Sequence, residues 1–156
     1  MEDHSEHGHN GHNLQEDPSR IRLATSATIH CLIGCGIGEV VGMIIGTALN
    51  MSVVSTIVLA VTLGFIFGFA LGIIPLLRAG YTYARAFKQV FIAEGLSIAV
   101  METAEVLVQV YTPGVMEAGL SEPIFWLGMG LALIAGFMAA FPVNYIMIGK
   151  GVRHIH

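Results

Sequence analysis

Thr28-Ile29-His30-Cys31-Leu32-Ile33-Gly34-Cys35-Gly36-Ile37-Gly38-Glu39 lies inside an apolar run from about Ala24 to Leu49. A run of that length crosses a hydrocarbon core of about 30 Å at about 1.5 Å per helical residue. The stretch therefore reads as part of a transmembrane helix, yet it holds both cysteines of the chain, a histidine and a carboxylate. On a helix Cys31, Cys35 and Glu39 recur every four residues and share one face. His30 points about 100° away from Cys31.

The composition agrees. Of 156 residues, 54% are hydrophobic and 12% charged, and the mean hydropathy is +0.74. Soluble domains carry about 25% charged residues. The formal net charge of −4 describes no surface, because the charges are segregated along the chain. Residues 1–20 are polar, with no basic region before a short apolar core, so no secretory signal is read there. Two cysteines within one apolar helix make no secreted disulfide framework.

The expected organisation is all-α: an integral membrane four-helix bundle with spans at about 24–49, 53–77, 87–111 and 123–147 inside a membrane domain of residues 21–149. Residues 1–20 form a disordered tail in this reading, because almost nothing apolar offsets the entropy of ordering them. His4, His7, His9 and His12 in that tail are candidate metal-buffering ligands, or merely part of a solubilising segment. Residues 150–156 are a short basic tail. All seven Lys and Arg fall on the side that holds both termini and the middle loop, while the other side shows Glu117 and Glu122. The positive-inside rule then makes both termini cytoplasmic, in a cell (inner or plasma) membrane.

Gly34, Gly38, Gly42 and Gly46 recur at four-residue intervals in the first span, as do Gly64, Gly68 and Gly72 in the second. Small residues at this spacing let helix backbones approach closely in lipid. The two helices are expected to pack as a tight hairpin, with the glycines serving packing rather than chemistry.

The third span carries Glu94, Glu102 and Glu105. An acid at the bilayer centre costs about 2.5–3.5 kcal/mol on insertion scales, so these groups and Glu39 must face the bundle interior, an ion or water. Counted from estimated midpoints, Cys31 and His30 lie level with Glu94, and Glu39 lies level with Met101 and Glu102. Met43 follows, level with Glu105. Thiol, thioether, imidazole and carboxylate groups stacked in this way suit a cation. An internal Cys31–Cys35 disulfide would distort a helix, because Cβ atoms four residues apart stand about 5–6 Å from each other and a disulfide wants about 3.5–4.5 Å. A shared metal fits the spacing. Free cysteines are also ordinary small hydrophobes of cores.

The motif Thr28-Ile29-His30-Cys31-Leu32, Gly34-Cys35, Ile37-Gly38-Glu39 resembles a family of small prokaryotic four-helix membrane proteins known only as a domain of unknown function. The similarity continues through Pro75-Leu76-Leu77-Arg78-Ala79-Gly80, Ser97-Ile98-Ala99-Val100-Met101-Glu102 and Ala139-Ala140-Phe141-Pro142-Val143-Asn144. It implies four spans in one domain and no activity. In ligand type and size the chain is also similar to small mercury-uptake membrane proteins.

The expected function is binding and transport or handling of a transition metal, Cu(I) or Zn(II), between the first and third helices. Cys31, Cys35, His30 and Glu39 are the expected ligands. Glu94, Met101, Glu102, Glu105, Met43 and Asn144 line the conduit. The alternatives are a non-catalytic accessory subunit of a larger membrane complex and a proton- or cation-conducting protein that uses the glutamates. Expected partners are the lipid bilayer, the metal ion, and further copies of the chain or a membrane complex. No nucleic-acid partner, organic cofactor or enzymatic activity is expected, since no oriented nucleophile, phosphate loop or cofactor fingerprint is present.

Overall fold

The structure, a computed structural model, describes residues 18–150. Four helices account for most of them: α1 (Pro18–Ala48), α2 (Val53–Arg78), α3 (Tyr83–Tyr111) and α4 (Pro123–Gly149). Among the described residues there is no strand. Asn50 (φ 51°) closes α1 in the left-handed region, and Ser52 caps α2 by accepting the Ser55 N–H at 3.2 Å. Such short connections make consecutive helices antiparallel neighbours.

Large apolar side chains cover much of the outside of the bundle, while acids and amides lie inside it. Val54, Leu96, Leu127 and Ile134 are exposed, whereas Glu39, Glu94, Glu102, Glu105, Gln109 and Asn144 are buried. That is the inverse of a water-soluble protein and suits hydrocarbon as solvent. The helices α1, α2 and α4 are long and apolar enough to cross a membrane. At 29 residues, α3 is also long enough, about 43 Å at 1.5 Å per residue, but its three acids dilute its apolar character. All three point inward. The architecture is an integral membrane four-helix bundle.

The helices form a ring in chain order. The closest packing lies within the α1–α2 and α3–α4 hairpins, α1 and α3 touch across the short diagonal, and α2 and α4 do not meet. Glycines set the α1–α2 contact, as the sequence pattern predicts. Gly34 faces Gly68, Gly38 faces Leu63 and Gly64, Gly42 faces Ala60, and Gly46 faces Thr56. The falling partner numbers are the register of an antiparallel pair. A methyl group at Gly34 would stand 2.9 Å from the Gly68 Cα, so no larger residue fits without parting the helices.

Two boundaries differ from the expected ones. The first helix starts at Pro18, six residues early, so Pro18, Ser19 and Arg20 are helical rather than part of a disordered tail. Proline suits the first helical turn, where its missing N–H is not needed. Arg20 then anchors the turn: its Nε and Nη2 donate to the Tyr145 carbonyl at 3.1 and 2.9 Å, and its guanidinium lies 4.0 Å from the centre of the Tyr145 ring. The start of α1 and the end of α4 thus meet at one end of the bundle. The third helix starts at Tyr83, four residues early, with its first turn closed by the Ala86 N–H on the Thr82 carbonyl at 2.9 Å.

Candidate functional site

The centre of the bundle holds three carboxylates. Glu39 projects from α1, and Glu102 and Glu105 from α3, across the short diagonal of the ring. One oxygen from each lies within 4.8 Å of the others, and none of the three residues is more than 2% exposed. Gln109, one turn beyond Glu105, donates from Nε2 to Glu39 Oε1 at 2.5 Å. Apart from the acids themselves and the Cys35 thiol beside Glu102, no donor of the described residues reaches Glu39 Oε2 or either oxygen of Glu102 and Glu105.

The local sequence makes this arrangement possible. Glu102 and Glu105 are three apart on α3 and share a face, and Gln109 continues the same stripe. Each acid of α3 also sits where a neighbouring helix lacks a side chain. Glu94 lies against Gly72, Glu102 against Gly64 and Glu105 against Gly136. A Cβ at Gly72 would come within 2.6 Å of Glu94 Oε2, and one at Gly136 within 2.8 Å of Glu105 Cδ. These glycines therefore do more than pack backbone on backbone: they make the space that the carboxylates occupy.

Toward the Arg20 end the polar column continues. Cys35 stands beside the Glu102 carboxylate and packs on Gly68. Cys31, one turn lower, directs its thiol at Glu94 Oε2 at 4.0 Å. Lower still, Asn144 Nδ2 donates to Thr28 Oγ1 at 2.9 Å, and Thr28 returns its hydroxyl to the Ala24 carbonyl at 2.8 Å. Met101 joins Cys31, Cys35, Ile98 and Ala140 in one buried cluster. In the other direction the column ends on apolar packing of Met43, Ala60, Phe125 and Met129.

The expected ligand quartet is thus divided. Cys31 and Cys35 share the soft cluster with Met101, whereas Glu39 lies with Glu102 and Glu105. His30 is on the exposed side of α1 and joins neither group. The inside of α1 is set by Thr28, Cys31, Cys35 and Glu39, and a residue adjacent in sequence to Cys31 is turned about 100° from that stripe. Met43 packs in the apolar cluster at the far end rather than beside Glu105. His4, His7, His9 and His12 lie outside the described residues. Gln109 and Thr28 are not among the expected site residues, although Gln109 shares the Glu105 stripe. The Thr28 role requires the contact with α4, which no pattern within α1 announces.

Three carboxylates this close in a low-dielectric interior repel one another strongly, and burying even one unpaired charge costs several kcal/mol. Protons on the acids or a cation among them would relieve that repulsion, and the three residues could hold a metal ion.

Neither curated proteins nor solved structures yield a match to this chain. The family model of a domain of unknown function (DUF4396) matches residues 22–153. That range contains Glu39, Glu102, Glu105 and both cysteines, and the chain belongs to this family.

Proposed function

We propose that the protein binds a transition-metal cation within the membrane and passes it along the bundle axis, with Glu39, Glu102 and Glu105 as the central station. One observation carries the reading: carboxylates from two helices converge within 4.8 Å, and five of their six oxygens have no donor beyond the acids themselves and the Cys35 thiol. Oxygens bound to one tetrahedral zinc at about 2.0–2.2 Å stand about 3.4 Å apart, so modest side-chain rotation closes the cluster on an ion. Zn(II) suits the site best, because it accepts carboxylate and thiolate alike. It finds carboxylates in the centre and Cys35 and Cys31 one and two turns below. Cu(I) would favour the Cys31, Cys35 and Met101 group instead. The arrangement of basic residues supports a plasma or inner membrane location with both termini cytoplasmic.

Metal content of the detergent-purified chain tests this. The wild type is expected to retain zinc, and the triple variant Glu39→Gln, Glu102→Gln, Glu105→Gln to lose it. Retention by that variant with loss in Cys31→Ser, Cys35→Ser moves the site to the thiols and favours Cu(I). Absence of any stoichiometric metal from the wild type overturns the reading.

A second reading has its own support. Thr28, Asn144, Cys31, Glu94, Cys35, Glu102, Glu105, Glu39 and Gln109 form a nearly continuous polar file, which is also the form of a proton or cation pathway. Proton flux in liposomes that survives loss of both cysteines and stops with Glu102→Gln would select it.

A further inference from the structure

One end of the bundle carries every Lys and Arg of the described residues. There α1 begins with Arg20 and Arg22, α2 ends at Arg78, α3 opens with Arg85 and Lys88, and Lys150 follows α4. Arg20 is half-buried and engaged with the Tyr145 carbonyl and ring, while the other five are exposed. No described acid offsets them. Glu39, Glu94, Glu102 and Glu105 are buried, and Glu117 and Glu122 lie in the α3–α4 connection at the opposite end. Among the described residues, this end is an uncompensated positive surface.

The seam between α2 and α3 gives that surface an apolar neighbour. Phe69 of α2 meets Phe87 and Phe91 of α3 with ring centres 6.2 and 6.0 Å apart, and Phe87 and Phe91 are 6.0 Å from each other. Both rings of α3 remain exposed on the outside of the bundle. Lys88 follows Phe87 directly and stands three residues before Phe91, and Arg78 ends the helix that carries Phe69. Exposed Tyr81 and Tyr83 lie between the two cations in the chain, as aromatic residues do at a membrane–water boundary. Long basic side chains at helix ends extend their charge to that level while their stems stay on apolar surface.

For a chain embedded in a bilayer, the molecule that meets a helix seam at this level is a lipid. An anionic phospholipid matches both parts of the surface, its head by charge and its tail by apolar contact. Basic side chains beside transmembrane helices near the surface recognise such head groups. We propose that the α2–α3 seam binds an anionic phospholipid, its head group on Arg78 and Lys88 and one acyl chain along Phe69, Phe87 and Phe91. The site shares no residue with the carboxylate cluster, so it stands or falls apart from the metal reading.

Native mass spectrometry of the full chain in detergent tests this, with phosphatidylglycerol and phosphatidylcholine of equal chain length as probes. Each basic residue near an anionic lipid contributes about fivefold in affinity, so the wild type is expected to prefer phosphatidylglycerol at least about tenfold. Arg78→Gln, Lys88→Gln should bring the two lipids to equal affinity. Arg22→Gln, Lys150→Gln removes as much charge from α1 and α4 and should keep the preference. The thermal midpoint, as a second measurement, should rise with phosphatidylglycerol in the wild type and not in Arg78→Gln, Lys88→Gln. Equal binding of both lipids by the wild type overturns the proposal. Equal loss of preference in the two double variants does so as well, since it would show diffuse attraction to the positive end. A preference that emerges only when Glu2, Asp3, Glu6, Glu16 and Asp17 are replaced by their amides would make the chain's own N-terminal acids the occupant, and also overturns it.

Discussion

Glu94, Glu102 and Glu105 each meet a glycine of a neighbouring helix, and the side chain missing there leaves the room that the carboxylate occupies. The consequence is testable one residue at a time. Gly64→Ala would press its methyl group into the Glu102 carboxylate, and overpacking of this kind costs about 1–3 kcal/mol. We expect a lower thermal midpoint in detergent together with reduced zinc content. Gly130→Ala, where a Cβ meets nothing within 4 Å, should leave both unchanged. Equal behaviour of the two variants would mean that Gly64 does not shape the site. Gln109 acts differently, through its bond to Glu39. Second-layer partners of ligands are worth about 10–100-fold in metal affinity, so Gln109→Leu should weaken zinc by that factor without abolishing it. A zinc titration showing wild-type affinity would remove Gln109 from the site.

At the scale of the helix, α3 is the element that carries the conflict between insertion and function. Its apolar outer face, with Leu96 60% exposed, meets lipid, and its inner face holds three acids. Placing an acid on the wrong face tests the assignment: Leu96→Glu should cost about 2.5–3.5 kcal/mol of insertion, read as loss of protein from the membrane fraction. Removing a buried acid should act in reverse. Replacing buried charged groups by apolar ones of similar volume is often neutral or stabilising by about 1–4 kcal/mol. Glu102→Met is therefore expected to match or exceed the wild type in metal-free thermal stability while losing zinc. A large destabilisation would show that Glu102 serves the fold rather than a cation. The same helix shows how far the sequence could be read. The stripe Glu94, Ser97, Met101, Glu105, Gln109 marks its inner face without any structure, and the four-residue glycine ladder of α1 announces the hairpin. Both are periodic within one helix. The level of one helix against another is not, because it depends on loop geometry and on where each helix begins. Glu39 meets Glu102, the residue expected at its level, and Glu105 as well, while Met43 packs against Ala60, Phe125 and Met129. His30 follows the same rule: neighbours in a helical sequence do not share a face, and it lies on the exposed side of α1 while Cys31 is buried.

In the whole molecule, the tightest packing lies within the hairpins α1–α2 and α3–α4, and the carboxylate cluster bridges them, Glu39 from one and Glu102 and Glu105 from the other. If the metal reading holds, an ion among the three carboxylates would clasp the hairpins together where bare charges would repel. Binding should therefore hold the hairpins together, and a bundle that opens along this seam would release the ion. Cutting the chain isolates the effect. Gly80 and Tyr81 are exposed in the turn between α2 and α3, so a protease site inserted there leaves each hairpin whole. Ligand at about 100 times its dissociation constant adds about 2.7 kcal/mol to whatever state binds it. The nicked protein should therefore keep its two halves together to a higher temperature with zinc than without, read by size-exclusion chromatography after heating. Glu39→Gln removes the only carboxylate that the first hairpin contributes to the cluster and should abolish the difference. If zinc raises the separation temperature equally in the Glu39→Gln protein, the ion is held by the second hairpin alone and does not bridge the seam.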